Sequence, residues 1–457
     1  MTKKAKFLKV ASSLHSDGRR NFVHPADVKG RFARSRNGMF ALLIAIYILL
    51  PWVHIGGHPA VFLDIAARRF YLFGATFNAQ DTFLLFFLLS GMGFALFVAT
   101  AVFGRVWCGY ACPQTVFLEG VFRRIERWIE GPRVQRIRRN AAPMSLDKFW
   151  RKTLKHILFF FMSAAVAHIF ISYFVSLPKL WGMMHESPLN NISAFLWVFI
   201  LTGIMYFNFA WFREQMCLII CPYGRLQSVM TDLDTIVIGY DEKRGEPRGK
   251  KNDPTAGDCV DCDRCTVVCP TGIDIRNGLQ LDCIGCSACI DACDEVMGKL
   301  GREKGLIRYD SQHGLRGERK TFWRPRLALY AALATAGLAV AFVFGIQSHK
   351  PFEANLLRLG STPYIVEDDG RVQNLFEIHV VNKRDKPHTY EITPSRDDGL
   401  EYVIAIPNPT LKGGQGMRVP VFIYSPVGGK ETTVRLDVSQ DDIAAPRHVS
   451  GQFLRPR

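Results

Sequence analysis

The chain has 457 residues, 48% of them hydrophobic, with 57 Lys and Arg against 41 Asp and Glu for a formal net charge of +16. Its mean hydropathy is only +0.07, so the apolar residues are gathered into a few runs. A basic chain invites a nucleic-acid reading, but +15 of the +16 lies in residues 1–37 and 104–152, which flank apolar runs; this excludes nucleic acid and makes the charge a matter of membrane topology.

The basic N-terminal segment, residues 1–37, carries Lys3, Lys4, Lys6, Lys9, Arg19, Arg20, Lys29, Arg31, Arg34 and Arg36 against Asp17 and Asp27. A membrane span needs about 20 apolar residues. Five stretches qualify: Gly38–Ile55, Thr82–Phe103, Ile157–Val175, Ser193–Phe212 and Leu327–Ile346. The first holds Pro51 and lacks a small-residue cleavage site before its end, which reads as a retained signal anchor. Lys and Arg gather in short cytoplasmic loops, so residues 1–37 and the loop 104–152 are expected inside. Loops 56–81 and 176–192 carry only Arg68, Arg69 and Lys179, which suits the outside. After the membrane domain 38–212, this parity puts 213–326 in the cytoplasm and 347–457 in the periplasm of a bacterial inner membrane.

Three histidines and an arginine run stand out along the way. His168 lies inside the third span, where an ionisable residue is a functional candidate; a neutral ring bonded to a neighbouring helix serves equally. His54 and His58 follow the first span beside Gly56, Gly57 and Pro59, as ligands for a metal or quinone or as ordinary interfacial residues. The run Arg133–Arg139 is expected to lie on anionic lipid of the inner leaflet, with a docking surface for an electron donor as the sharper alternative.

All twelve cysteines fall on or next to the expected cytoplasmic face. Two pairs, Cys108-x3-Cys112-Pro113 and Cys217-x3-Cys221-Pro222, follow the second and fourth spans and look like an internal repeat. Positions four apart share a helical face, while the following proline biases Cys112 and Cys221 out of the helical region. Four such thiols suit a soft ion such as Cu(I), or a dithiol–disulfide couple; buried cysteines can also be plain small hydrophobes.

The remaining eight form one array, with runs Cys259-x2-Cys262-x2-Cys265-x3-Cys269-Pro270 and Cys283-x2-Cys286-x2-Cys289-x3-Cys293, inside a module of about 253–300. This is the bacterial two-cluster ferredoxin spacing, in which each run's fourth cysteine ligates the other cluster. Cys259, Cys262, Cys265 and Cys293 are therefore assigned to one [4Fe–4S] cluster, and Cys283, Cys286, Cys289 and Cys269 to the other. Zinc sites use two pairs rather than two triplets with a trailing fourth, and a disulfide framework is disfavoured in a reducing cytosol. Asp253, Asp258, Asp261, Asp263, Asp282, Asp291, Asp294 and Glu295 surround the array. Negative charge there lowers cluster potential; solvated surface carboxylates are the ordinary alternative.

Beyond residue 350 the pattern changes to short alternating runs, Leu375–Val381, Thr389–Thr393, Tyr402–Ile406, Arg418–Tyr424 and Thr432–Val438, separated by turn clusters and free of cysteine. Such spacing predicts a β-sandwich of about a hundred residues. The expected fold is thus a polytopic α-helical membrane protein with an inserted two-[4Fe–4S] ferredoxin module and a C-terminal immunoglobulin-like β-sandwich.

Taken together, these motifs resemble the FixG/CcoG/RdxA family, accessory proteins of cbb3-type cytochrome c oxidase assembly, over nearly the whole chain. The Cys-x3-Cys-Pro motif beside a ferredoxin module also resembles NapH- and NosR-like quinol-linked membrane proteins, and the C-terminal sandwich favours the first family. That resemblance implies reduction of Cu(II) to Cu(I) for delivery to the oxidase, with Cys108, Cys112, Cys217 and Cys221 as copper ligands or redox partners. It also implies a copper exporter or chaperone and oxidase assembly factors as partners, besides membrane lipid and a cytoplasmic electron donor. A quinone-linked electron-transfer subunit and a redox-sensing assembly scaffold are the alternative readings.

Overall fold

Among the described residues, five helices are long and apolar enough to cross a membrane: Arg31–Leu49, Thr82–Phe103, Leu146–Ser172, Ile192–Phe212 and Pro325–Gln347. The computed structural model describes residues 22–456 apart from 66–68, 79–81, 251–252, 322–323, 348–351, 360–361, 363, 385, 396–398 and 426–431. Lys3, Lys4, Lys6, Lys9, Arg19, Arg20 and Arg68 lie outside the described residues. The chain divides into two compact units, Met1–Ala341 and Phe342–Arg457.

Two span boundaries depart from the hydropathy reading. The first helix runs over Arg31–Leu49, not Gly38–Ile55. It stops short of Pro51, which has no N–H to continue the ladder, although Leu50 before it keeps helical angles (φ −52, ψ −41). His54–Ile55 instead pairs with His58–Pro59, joined by Gly56 and Gly57 at φ 65 and 86. Two consecutive positive-φ residues form the two-residue turn that matches strand twist, a conformation glycine adopts without strain. His54 Nδ1 lies 2.9 Å from the Trp52 carbonyl oxygen, and His58 stacks on Tyr71 at 4.0 Å between ring centroids. A second departure is the third helix, which starts at Leu146 rather than Ile157. Ser145 caps it by accepting the Lys148 N–H at 3.2 Å, so its first turns are charged and escape an apolar count. His168 Nδ1 sits 2.7 Å from the Ala164 carbonyl of its own helix.

Residues 104–145 fold into short helices, Val106–Tyr110, Pro113–Phe117, Arg123–Glu130 and Arg133–Ala141, linked in part by a π-turn at Leu118–Phe122. The run Arg133–Arg139 does not lie wholly on a lipid surface: Arg136 is 0% exposed and donates to Glu126 at 3.3 Å and to the Pro25 carbonyl at 3.0 Å. A buried carboxylate partner outweighs the lipid for this arginine, because an unpaired buried charge is far costlier than a paired one.

The cysteine-rich region is bracketed by Val237–Tyr240 and Ile307–Asp310, an antiparallel pair. Ile238, Tyr240, Leu306 and Ile307 share a buried core with Cys259 and Cys265.

Phe342–Arg457 contains the immunoglobulin-like sandwich of two antiparallel sheets. One orders Glu401–Ile404, Gly416–Ser425, Val372–Asn382 and Phe352–Arg358, with Ile365–Val366 on the Val372 end. The other orders Thr410–Leu411, His388–Pro394, Thr432–Gln440 and Ile443–Phe453. Alternate residues point inward, so Phe376, Ile378, Val380, Val419, Val421 and Ile423 meet Tyr390, Ile392, Val434, Leu436 and Val438 in one core.

Candidate functional site

The two ferredoxin runs fold alike. Asp261 and Asp263, flanking Cys262, take φ of 51 and 56, and the equivalent Gly285 and Ser287, flanking Cys286, take 67 and 63. Left-handed residues between helical ones turn successive N–H groups to one side and make a concavity suited to anions such as iron–sulfur clusters. Cys265 and Cys289 then fall at the second position of the helices Arg264–Val267 and Ala288–Leu300.

Chain folding gathers the eight thiols into two adjoining neighbourhoods. Cys269, Cys283, Cys286 and Cys289 line one small cavity, which Cys265 of the first run also borders, together with Ile273, Ile275 and Ile284. Cys293 lies instead with Cys265, Cys259 and Cys262: burial first, then these neighbours, push its thiol up to about 12. Burial likewise raises Cys265 to about 11 and Cys283 to about 12, and lifts Cys286 and Cys289. None of the twelve cysteines is in a disulfide. Four thiolates around one point in an apolar wall are stable only with positive charge among them, and metal binding there releases the protons. The residues fit cubane iron–sulfur clusters.

The acidic residues around the array are mostly engaged. Arg276, 7% exposed, donates to Asp261 at 2.7 Å, Asp263 at 2.5 Å and Asp274 at 2.7 Å. Asp294 accepts the Gly305 N–H at 2.9 Å, and Asp291 accepts the Ala33 N–H at 2.7 Å in the first turn of the first span. They hold the loops in shape, and Arg276 neutralises part of the charge that the sequence sets beside the first cluster run.

The second cysteines of the two Cys-x3-Cys-Pro pairs adopt one conformation, while Cys108 lies in an α-helical turn, Val106–Tyr110, and Cys217 in a π-helical one, Met216–Ile220. Cys112 (φ −61, ψ 126) precedes helix Pro113–Phe117, and Cys221 (φ −61, ψ 110) precedes helix Pro222–Met230. Each proline occupies the first helical position, where its missing N–H costs nothing. Cys108 is therefore not on one continuous helix with Cys112. The pairs nevertheless lie near enough to act on one another, although no three of their sulfurs come within 4.8 Å of each other. Burial raises the Cys108 thiol to about 11, and Cys112 and Cys221 push it further. Burial raises Cys217 to about 12, assisted by Cys112, Cys108 and Cys221. Cys112 is raised by burial and by Cys221. Cys108 Sγ donates to Gln227 Oε1 at 3.5 Å; Gln227 is fully buried and its role was not visible from spacing.

This four-thiol site abuts the second cluster run. A Cβ on Gly109 would lie 2.7 Å from the Gly285 carbonyl oxygen and 2.9 Å from Cys286 Cα. Cys108 packs against the apolar group containing Cys286, Ile284 and Ala288. Arg105 donates to the carbonyls of Leu281 and Gly224, tying both pairs to the cluster loop. Arg36, from the first span, donates to the Cys286 carbonyl at 3.2 Å. Behind them, Arg123 pairs with Glu119 and with Glu214 at 2.9 Å, and donates to the Pro270 carbonyl at 3.2 Å. One guanidinium thus joins the residues beside Cys217 and Cys269.

Comparison with known proteins gives three family matches: residues 84–132 to the 4Fe-4S binding domain, 212–312 to the 4Fe-4S dicluster domain, and 342–456 to the Ig-like fold at the C-terminal of FixG. The chain is 36% identical to the nitrogen fixation protein FixG of Rhizobium meliloti, over 82% of this chain and 79% of that protein. It is 32% identical to protein RdxA of Cereibacter sphaeroides over 93% of this chain and 94% of the relative. Protein RdxB of the same organism is 34% identical, over 96% of each chain.

Proposed function

The chain belongs to the FixG/CcoG/RdxA family of membrane iron–sulfur proteins, and from that premise we propose that it reduces Cu(II) to Cu(I) at its four membrane-proximal thiols. It is a multi-pass inner-membrane protein and an iron–sulfur electron-transfer protein. In this reading Cys259, Cys262, Cys265 and Cys293 hold one cluster, and Cys283, Cys286, Cys289 and Cys269 the other. The N-terminus and clusters face the cytoplasm, and the sandwich faces the periplasm. When bound, the clusters supply one-electron carriers of tunable potential.

The contact between Gly109 and Gly285 carries the reading, because it seats Cys108 directly against the run that contains Cys283, Cys286 and Cys289. Copper is the substrate. Burial keeps Cys108, Cys112 and Cys217 neutral thiols when empty, and binding a metal displaces their protons. Thiolates favour the soft monovalent ion, so the site stabilises Cu(I) over Cu(II) and draws one electron per ion. The Cu(I) formed there would pass to an exporter or chaperone serving cbb3-type oxidase assembly.

Anaerobic titration of the intact protein with Cu(I), in competition with a chromogenic chelator, tests the site. We expect tight binding that falls at least tenfold in Cys108→Ser and in Cys217→Ser. Equal binding by both variants and the native protein would remove copper from this site.

A further inference from the structure

A cavity of about 1000 Å³ has Cys269 in its wall. Cys269 also lines the small cavity formed with Cys283, Cys286 and Cys289, so the two spaces share that residue. Opposite it stand Lys152, Lys155 and His156 of the third span's helix and Tyr206 of the fourth. A second groove of about 650 Å³, lined by Ile157, Phe160 and Phe161, shares Lys152, His156 and Tyr206 with the first. The two spaces therefore adjoin, an apolar aromatic flank meeting a mixed chamber that has a cysteine of the cluster array in its wall. His156 marks the depth: basic residues precede it and the apolar run Ile157–Phe161 follows. This is where a helix leaves the hydrocarbon region, and where an amphipathic molecule keeps its head.

Among the described residues, most of the charge inside the chamber is answered, with Arg133 in its wall as the exception. Glu130 pairs with Lys152 and Lys155, each at 2.9 Å. Glu126 pairs with Arg213 at 2.5 Å and with Lys155 at 3.7 Å. An anionic head gains little from cations already paired, whereas a neutral head with two ring oxygens can bond to them without breaking a pair. His156 Nδ1 and Tyr206 Oη lie 2.8 Å apart, a hydrogen-bonded pair able to relay a proton. His24, in the same wall, is kept neutral because burial lowers its pKa to about 4. A lipid would have no use for a cluster cysteine in its wall; a redox-active head would.

We propose that this passage binds an isoprenoid quinol of the membrane, with its head between His156, Tyr206 and Cys269, as the source of electrons for the clusters. The proposal rests on the cluster assignment made above and deepens it. Oxidation breaks two O–H bonds and leaves the quinone. One electron goes to each of the two clusters, one proton to the His156 imidazole and the other to water at the mouth.

Intact cluster-loaded protein in nanodiscs, irradiated with a short-chain azido-quinone and mapped by mass spectrometry, tests the site without relying on turnover. The label should fall within residues 149–161 and 203–213. Decylubiquinone should protect, and cardiolipin and phosphatidylglycerol should not. Labelling should drop at least tenfold in His156→Leu and in Tyr206→Phe, whose visible cluster absorbance reports that they remain folded. Label elsewhere, undiminished label in both variants, or protection by the anionic lipids alone would overturn the proposal, the last outcome making the passage a lipid seat. The copper reading is separable: native protein reduced by dithionite is challenged with Cu(II). Failure there with site-specific label retained removes copper and leaves the quinol site standing.

Discussion

Gly109 lies backbone to backbone against Gly285, so close that a Cβ on Gly109 would come within 2.7 Å of the Gly285 carbonyl oxygen. Gly285, at φ +67, is equally hemmed in, its own Cβ position 2.8 Å from the Arg105 carbonyl oxygen. The obstacles are main chain, which no rotamer change can move aside. Replacing Gly109 with Ala should therefore push the four-thiol site away from the cluster loop, at a cost of about 1–3 kcal/mol in stability. We expect Gly109→Ala to keep full cluster absorbance and lose at least tenfold in the rate of Cu(II)-driven cluster oxidation, measured by stopped flow. A native rate would show that the contact does not set the electron path.

Cluster assignment makes a paired prediction. Cys269→Ala and Cys286→Ala should each remove the same cluster, and Cys262→Ala and Cys293→Ala the other, as read by iron content and by low-temperature EPR of the dithionite-reduced protein. Cys269 and Cys293 are the informative members, since each sits in the opposite sequence run from its group. If Cys269→Ala matched Cys262→Ala instead, the grouping would be wrong.

Arg123 is a second test, of architecture rather than chemistry. It is 1% exposed and answers both Glu119 and Glu214. Removing one member of a buried ionic group strands the others, typically at 3–5 kcal/mol. Arg123→Met should unfold at a markedly lower temperature than the native protein. Adding Glu119→Gln and Glu214→Gln should restore much of the loss, which a purely steric defect would not allow.

His24 predicts a pH effect. Burial lowers its pKa from 6.5 to about 4, so between those values the unfolded chain binds a proton that the folded chain refuses. Stability then rises with pH across that window and falls on acidification. Thermal unfolding at pH 7 and pH 5 should show a drop for the native protein that is smaller in His24→Gln. An identical drop in both would assign the acid sensitivity elsewhere.

Much of this was legible in one dimension because cluster ligands are bound to their spacing. The arrays around Cys259 and Cys283 repeat with equivalent turns, and the second span, Thr82–Phe103, agrees residue for residue with its helix. Hydropathy failed where a helix continues past its apolar part, as at Leu146, or where docking on Asp291 fixes the start, as in the first turn of Arg31–Leu49. In the sandwich, Ile443–Phe453 escaped notice because Pro446 interrupts the alternation; the strand sits at a sheet edge, where proline is tolerated. Arg123, Arg276 and Gln227 left no local signal, since their partners are 13–147 residues away apart from Glu119 and Asp274.

The most direct test of the central claim is a stopped-flow reaction of anaerobic, prereduced protein with Cu(II), following cluster bleaching and Cu(I)–chelator colour together. The account predicts one Cu(I) for each cluster oxidised, with both signals sharing one rate that collapses in Cys108→Ser and Cys221→Ser. Clusters that stay reduced in the presence of Cu(II), or that are oxidised equally fast in both variants, would contradict it.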